Sequence, residues 1–126
     1  ESYNSNPLSL KFSIENFNKQ YNGNKYLILG DMLELGKFSK VLHKQIAKII
    51  NKTSIKKVYV IGKHIKETFY GINSKKRGSI LNNKNEIYQL IKNQLKNNDH
   101  LMIKASNSTG LNIVASNIKK GKTNVI

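Results

Sequence analysis

The sequence predicts an α/β domain, a mostly parallel sheet with helices on both faces. Three short apolar runs supply the strands: KYLILG at 25–30, KVYVIG at 57–62 and HLMIK at 100–104. Between them lie stretches whose apolar residues recur at helical spacing. Strand and helix signals alternating at this pace mark β–α–β units, with parallel strands and crossover helices on the two faces. A length of 126 residues suits one such domain with a core large enough to need no staples.

Each element has its own warrant. The opening ESYNSNPLSL reads as the end of a strand, then a loop that launches a helix. Asn6 is a good N-cap, and Pro7 belongs at a first helical position because its missing N–H would go unpaired there anyway. Leu10, Ile14, Phe17 and Tyr21 then form a helical stripe. Asn22–Asn24 is a polar loop with a central Gly. KYLILG is continuous apolar closed by Gly, as expected of a strand buried on both faces. Asp31–Lys37 is a loop. Val41, Leu42, Ile46, Ile49 and Ile50 predict an amphipathic helix over 39–51. KVYVIG repeats the buried-strand pattern, and a short helix follows over 63–70, ending at Gly71. Residues 79–81 read as a weak strand. Ile87, Leu90, Ile91 and Leu95 predict a helix over 84–97. HLMIK is the third clear strand, and Leu111, Val114 and Ile118 predict a last helix over 109–120.

Composition excludes several functions. There is no cysteine, hence no disulfide, no Cys-based zinc site and no thiol nucleophile, which fits a cytoplasmic protein. The longest apolar runs are a few residues, far short of a membrane span, and no signal peptide is visible. The net charge is +15 and the pI near 10, which taken alone resembles a nucleic-acid footprint. Yet all the basic residues but Arg77 are lysine, spread along the chain, whereas bidentate recognition of bases and phosphates favours arginine. Lys, Asn and Ile share A/T-rich codons, so base composition of the genome suffices to explain the excess. No specific nucleic-acid partner and no membrane partner are expected.

Two motif look-alikes fail on spacing or context. Gly121-Lys122-Thr123 imitates the end of a phosphate-binding loop, but position 116 is Ser and no strand precedes it. Gly30 and Gly36 do not make a dinucleotide fingerprint. The three His residues, at 43, 64 and 100, lack carboxylates at metal-ligand spacing and are expected at surface or helix-end positions. His43 reads as a polar residue on an amphipathic helix.

In a parallel sheet of this kind ligands bind outside the carboxyl ends of the strands. Four loops therefore matter: Glu1–Asn6, Gly30–Gly36, Gly62–His64 and Lys104–Gly110. Glu1 ends a strand, where a carboxylate can accept from ribose hydroxyls; it can equally be a solvated strand-end acid. Tyr3 and Asn4 are placed to line a nucleotide pocket, or to pack on the sheet edge and shape the turn. Asp31 and Glu34 can bind a cationic amine or serve as caps. Lys104 ends a strand facing the same crevice, where its cation can pair with a carboxylate or with developing negative charge. Ser106 and Asn107 add neutral hydrogen-bonding groups beside the start of a helix.

Three of these segments resemble the Mur ligases. ESYNSNPLS resembles that family's DSYNANP-S, LILGDMLELG at 27–36 its VLGDMLELG, and LMIKASNSTGLNIV at 101–114 its VLVKGSR---ME-V. Leu42-His43 resembles an LH pair that the family tends to carry shortly after the second segment. The three come in the family's order and span the chain. The resemblance implies a Rossmann-like carboxy-terminal domain, residues 1–126, of a larger three-domain enzyme. It implies the branch that joins D-alanyl-D-alanine to UDP-N-acetylmuramoyl-tripeptide in peptidoglycan synthesis, with ATP and Mg2+ bound mainly by the other domains. In that chemistry the tripeptide carboxylate becomes an acyl phosphate, the dipeptide amine attacks, and phosphate leaves. The implied ATP contacts are Glu1, Tyr3 and Asn4; the implied dipeptide contacts are Asp31, Lys104, Ser106 and Asn107. No catalytic residue and no metal ligand is assigned to this chain, and alone it is expected not to ligate. The chain departs from the family with Glu1 for Asp, and with Ala105, Asn107 and Asn112 for Gly, Arg and Glu. The loss of the Arg removes a bidentate carboxylate clamp. Two other readings are a Mur-type ligase for a different amino acid, against which GDMLELG argues, and a basic α/β module for nucleic acid.

Overall fold

In a computed structural model, the described residues are 7–32, 40–106, 109–111 and 124–125. They build α1 (Pro7–Gln20), β1 (Lys25–Gly30), α2 (Lys40–Asn51), β2 (Lys57–Ile61), α3 (Lys66–Gly71), β3 (Arg77–Leu81), α4 (Lys84–Gln94), β4 (His100–Lys104) and β5 (Asn124–Val125). The sheet order is β3-β2-β1-β4-β5, and every pairing is parallel. The α/β arrangement is therefore as the sequence predicts. The short β5 beside β4 was not anticipated, because Asn-Val is too short to carry a periodic signal.

β1 is central and buried along its whole length, which explains its uninterrupted apolar run. Its side chains alternate between two cores, as strand geometry requires. Leu27 and Leu29 join Leu10, Ile14 and Phe17 of α1, Ile46 and Ile50 of α2 and Phe69 of α3. Tyr26 and Ile28 join Ile87 and Leu90 of α4 on the other face. Each fully buried aliphatic side chain contributes about 1.5–3 kcal/mol, so these two layers dominate the energetics.

Element boundaries differ from the sequence reading where side chains capture backbone groups. α3 starts at Lys66 instead of 63, because the N–H groups of Lys63, His64 and Ile65 donate to Asp31. α4 stops at Gln94 instead of 97, because Leu95 is extended and Asp99 accepts from the Lys96 N–H. β3 begins at Arg77, whose guanidinium donates to the Ile72 and Tyr70 carbonyls. α4 is entered as predicted: Asn83 accepts from Glu86 N–H at 3.1 Å, and Glu86 accepts in return from Asn82 N–H at 2.9 Å. The predicted helix at 109–120 lies outside the described residues beyond Leu111.

Candidate functional site

Chain order sets the site. From β1 the chain steps through α2 and α3 to β2 and β3 on one side. After α4 it returns to β4 on the other side of β1. The exits of β1 and β4 thus part at the sheet's switch point, where such folds leave a crevice for ligands. Asp31 follows β1 directly, while Lys104 closes β4 and Ala105 and Ser106 follow it.

Asp31 lies at this end of the sheet and is bonded to the segments that leave β2 and β4. Its Oδ1 accepts from His64 N–H at 3.0 Å and Ile65 N–H at 2.8 Å, and its Oδ2 from Lys63 N–H at 3.1 Å. Its backbone carbonyl accepts from Ser106 N–H at 3.0 Å. One residue therefore joins the exits of β1, β2 and β4. Gly62 makes the turn possible: its φ is +132°, and a Cβ there would stand 2.7 Å from the Asp31 carboxylate. Gly30 permits the second approach, since a Cβ on it would meet Leu111 Cδ1 at 2.6 Å and Ala105 Cβ at 2.7 Å.

Lys104 is almost buried, at 9% exposure. In β4, Met102 packs into the α1-side core while Leu101 and Ile103 pack into the opposite one, so alternation puts Lys104 on the α1 face. There it lines a cavity of about 190 Å³ with Ser13, Asn16, Phe17, Gln20 and Met102. Ser106 is buried, and its carbonyl accepts from the Thr109 hydroxyl at 2.8 Å, which turns the chain into the last described segment. Asp31, Lys104 and Ser106 are thus gathered at one end of the sheet. Glu1, Tyr3, Asn4, Glu34, Asn107 and Asn112 lie outside the described residues.

His43 is a correction to the sequence reading. It is buried at 2% exposure, and its Nδ1 lies 2.7 Å from the Thr68 hydroxyl, which also donates to the His43 carbonyl at 3.3 Å. The stripe of apolar residues in α2 gave no hint of this, because the partner sits 25 positions away on α3. Among the other His residues, His64 is exposed in the Gly62 turn and His100, half-buried, stacks on Tyr21. The three turn N–H groups at 63–65 were also invisible in sequence, since main-chain donors carry no residue signature. Lys84 at the start of α4 likewise read only as a helix residue. Its ammonium stands 2.5 Å from where a Cβ on Gly110 would lie, beside the β4 exit.

Residues 2–107 match the family model described as Mur ligase, glutamate ligase domain. The chain is 35% identical over 122 residues to the UDP-N-acetylmuramoyl-tripeptide–D-alanyl-D-alanine ligase of Buchnera aphidicola subsp. Baizongia pistaciae, covering 95% of this chain and 26% of that protein. It is 30% identical over 122 residues to the ligase of the same name from Bacillus subtilis, covering 94% of this chain and 27% of that one. It therefore spans about a quarter of the length of these relatives. Among solved structures it superposes on MurF ligase from Thermotoga maritima in complex with ADP, with a TM-score of 0.75 and 26% identity, over 94% of this chain and 27% of that one. A MurF structure from Acinetobacter baumannii, 20% identical with a TM-score of 0.75, shows the same fold. Three quoted segments, a parallel sheet with its crevice at the expected switch point, and a family match over most of the length agree: the chain belongs to the Mur ligase family, as a glutamate ligase domain.

Proposed function

We propose that this chain serves as the carboxy-terminal domain of an ATP-dependent ligase that forms an amide bond between UDP-N-acetylmuramoyl-tripeptide and D-alanyl-D-alanine, in cytoplasmic peptidoglycan synthesis. The observation that carries this reading is the convergence of Asp31, Lys104 and Ser106 at the switch point of a domain whose GDMLELG segment resembles the dipeptide-adding branch. Relatives of that name match over nearly the whole chain.

The dipeptide contacts are assigned to Lys104, Ser106 and Asn107, with Asp31 at the neighbouring β1 exit. A nearly buried ammonium at Lys104 can face the dipeptide carboxylate with little competition from water. The Ser106 hydroxyl can orient the peptide group. The nucleotide side is assigned to Glu1, Tyr3 and Asn4, and binding of ADP by the Thermotoga relative supports a nucleotide in this family. ATP supplies the phosphoryl group that activates the tripeptide carboxylate. Magnesium is assigned to the remaining domains; among the described residues no group of three or more His, Asp or Glu is placed to hold a metal. This domain would close over the central one like a lid and exclude water from the activated acid. No helix among the described residues is long and apolar enough to cross a membrane.

The test is an assay of the full-length protein with ATP, magnesium, the UDP-linked tripeptide and D-alanyl-D-alanine, following ADP release and product mass. Dipeptide-dependent ADP release with the mass of the joined product is expected. Joining a single amino acid instead would overturn the assignment. The 126 residues alone are expected to release no ADP.

A further inference from the structure

We infer that Asp31 is a positioning residue, one that holds the Gly62–Ile65 turn in the crevice and acts on the dipeptide through that turn instead of through its own charge. This rests on the ligase reading above and goes beyond it. An acid that binds a cationic amine presents its oxygens to the cavity. Here Asp31 is half-buried, and three main-chain N–H groups converge on its two oxygens at 2.8–3.1 Å. A carboxylate offers about four acceptor sites, so most of its capacity is already committed. The residue after β2 is a glycine held at φ +132°, which lets the turn come down onto those oxygens. The Asp31 carbonyl meanwhile accepts from the backbone N–H of Ser106, whose hydroxyl is assigned to the dipeptide.

The consequence is a rigid junction. The turn carries Lys63 and His64, both exposed, at the carboxyl end of β2, beside the β1 exit and one strand away from β4. α3 follows at once and is anchored at its Thr68 by buried His43. Asp31 and His43 thus pin the two ends of the segment 63–68, and the crevice keeps one shape before any ligand enters. Preorganisation of this kind lowers the ordering cost of binding.

Asparagine and alanine separate positioning from charge. In Asp31→Asn the remaining oxygen can still accept from His64 and Ile65, while the amide nitrogen faces the Lys63 N–H. Loss of one neutral-type hydrogen bond is expected to raise KM for D-alanyl-D-alanine about threefold, whereas Asp31→Ala, which frees all three donors, raises it more than about tenfold. If Asp31 binds the amine by charge, Asn is as damaging as Ala, and that result overturns the inference. Amide exchange in the 126-residue chain reads the geometry directly. Asp31→Asn is expected to lose protection at Lys63 and keep it at His64 and Ile65; unchanged protection at all three, or loss at all three, overturns it. Should Asp31→Ala fail to fold, the kinetic comparison passes to Gly62→Ala, which disturbs the turn with no change of charge and is expected to raise the same KM. Absence of ligation by the unsubstituted full-length protein would refute the ligase reading and the dipeptide half of this one, while the exchange data still decide whether Asp31 holds the turn.

Discussion

Gly62 and Tyr59 show how much single residues decide here. At Gly62 any side chain meets a left-handed backbone and the Asp31 carboxylate together. Gly62→Ala is expected to cost about 1–3 kcal/mol, read from the urea midpoint at constant slope. Tyr59, buried in the α4-side core, donates its hydroxyl proton to Gln94 Oε1 at 3.0 Å. Burial, and secondarily the neighbouring Tyr26, push its pKa above the usual tyrosine value. A raised pKa means the folded state holds the proton more tightly than the unfolded chain. That stability is present below the unfolded value of about 10 and is lost as pH rises through the folded one. Tyr59→Phe is therefore expected to be less stable than the parent at pH 8, and the gap in thermal midpoint should shrink above about pH 10. A gap that stays constant across that range would contradict the burial argument.

The elements owe their limits to capture of backbone groups as much as to propensity. α4 begins where Asn83 and Glu86 satisfy each other's neighbouring N–H groups, and it ends where Asp99 captures the Lys96 N–H. Asn83→Ala is expected to cost about 1 kcal/mol and to speed amide exchange in the first turn of α4, leaving β1 unaffected. The central strand behaves differently. Ile28 is fully buried between β2 and β4, and Ile28→Ala is expected to cost about 2–5 kcal/mol in the same unfolding measurement.

At the scale of the whole molecule, a set of cations sits at the amino end of the sheet. Several are committed to main-chain oxygens: Lys25 donates to the Asn18 carbonyl, Lys57 to Lys75 and Arg77, and Lys76 to Thr53 and Ile55. Burial also pushes the Lys76 pKa down. These ammonium groups stitch strand starts to neighbouring loops, so part of the basic excess is structural. The net charge of +15 still attracts polyanions at long range. Retention on duplex DNA is expected at low salt and is expected to vanish by about 0.2 M, without sequence preference. Sequence-preferring binding that survives physiological salt would revive the nucleic-acid reading.

Hydrophobic periodicity and the quoted segments sufficed for the α/β class, the three main strands, the crevice-end loops and the family. Those features depend on local spacing and on residue identity, which a sequence displays directly. What only the tertiary structure decided is how the loops are joined. Asp31 read either as an acid for an amine or as a cap, and it is engaged by main-chain donors 32 to 34 positions away. His43 read as a polar face and is a buried partner of Thr68. Both outcomes turn on main-chain N–H groups and on distant pairings, which no residue letter records and which exist only once the sheet has brought its strand exits together.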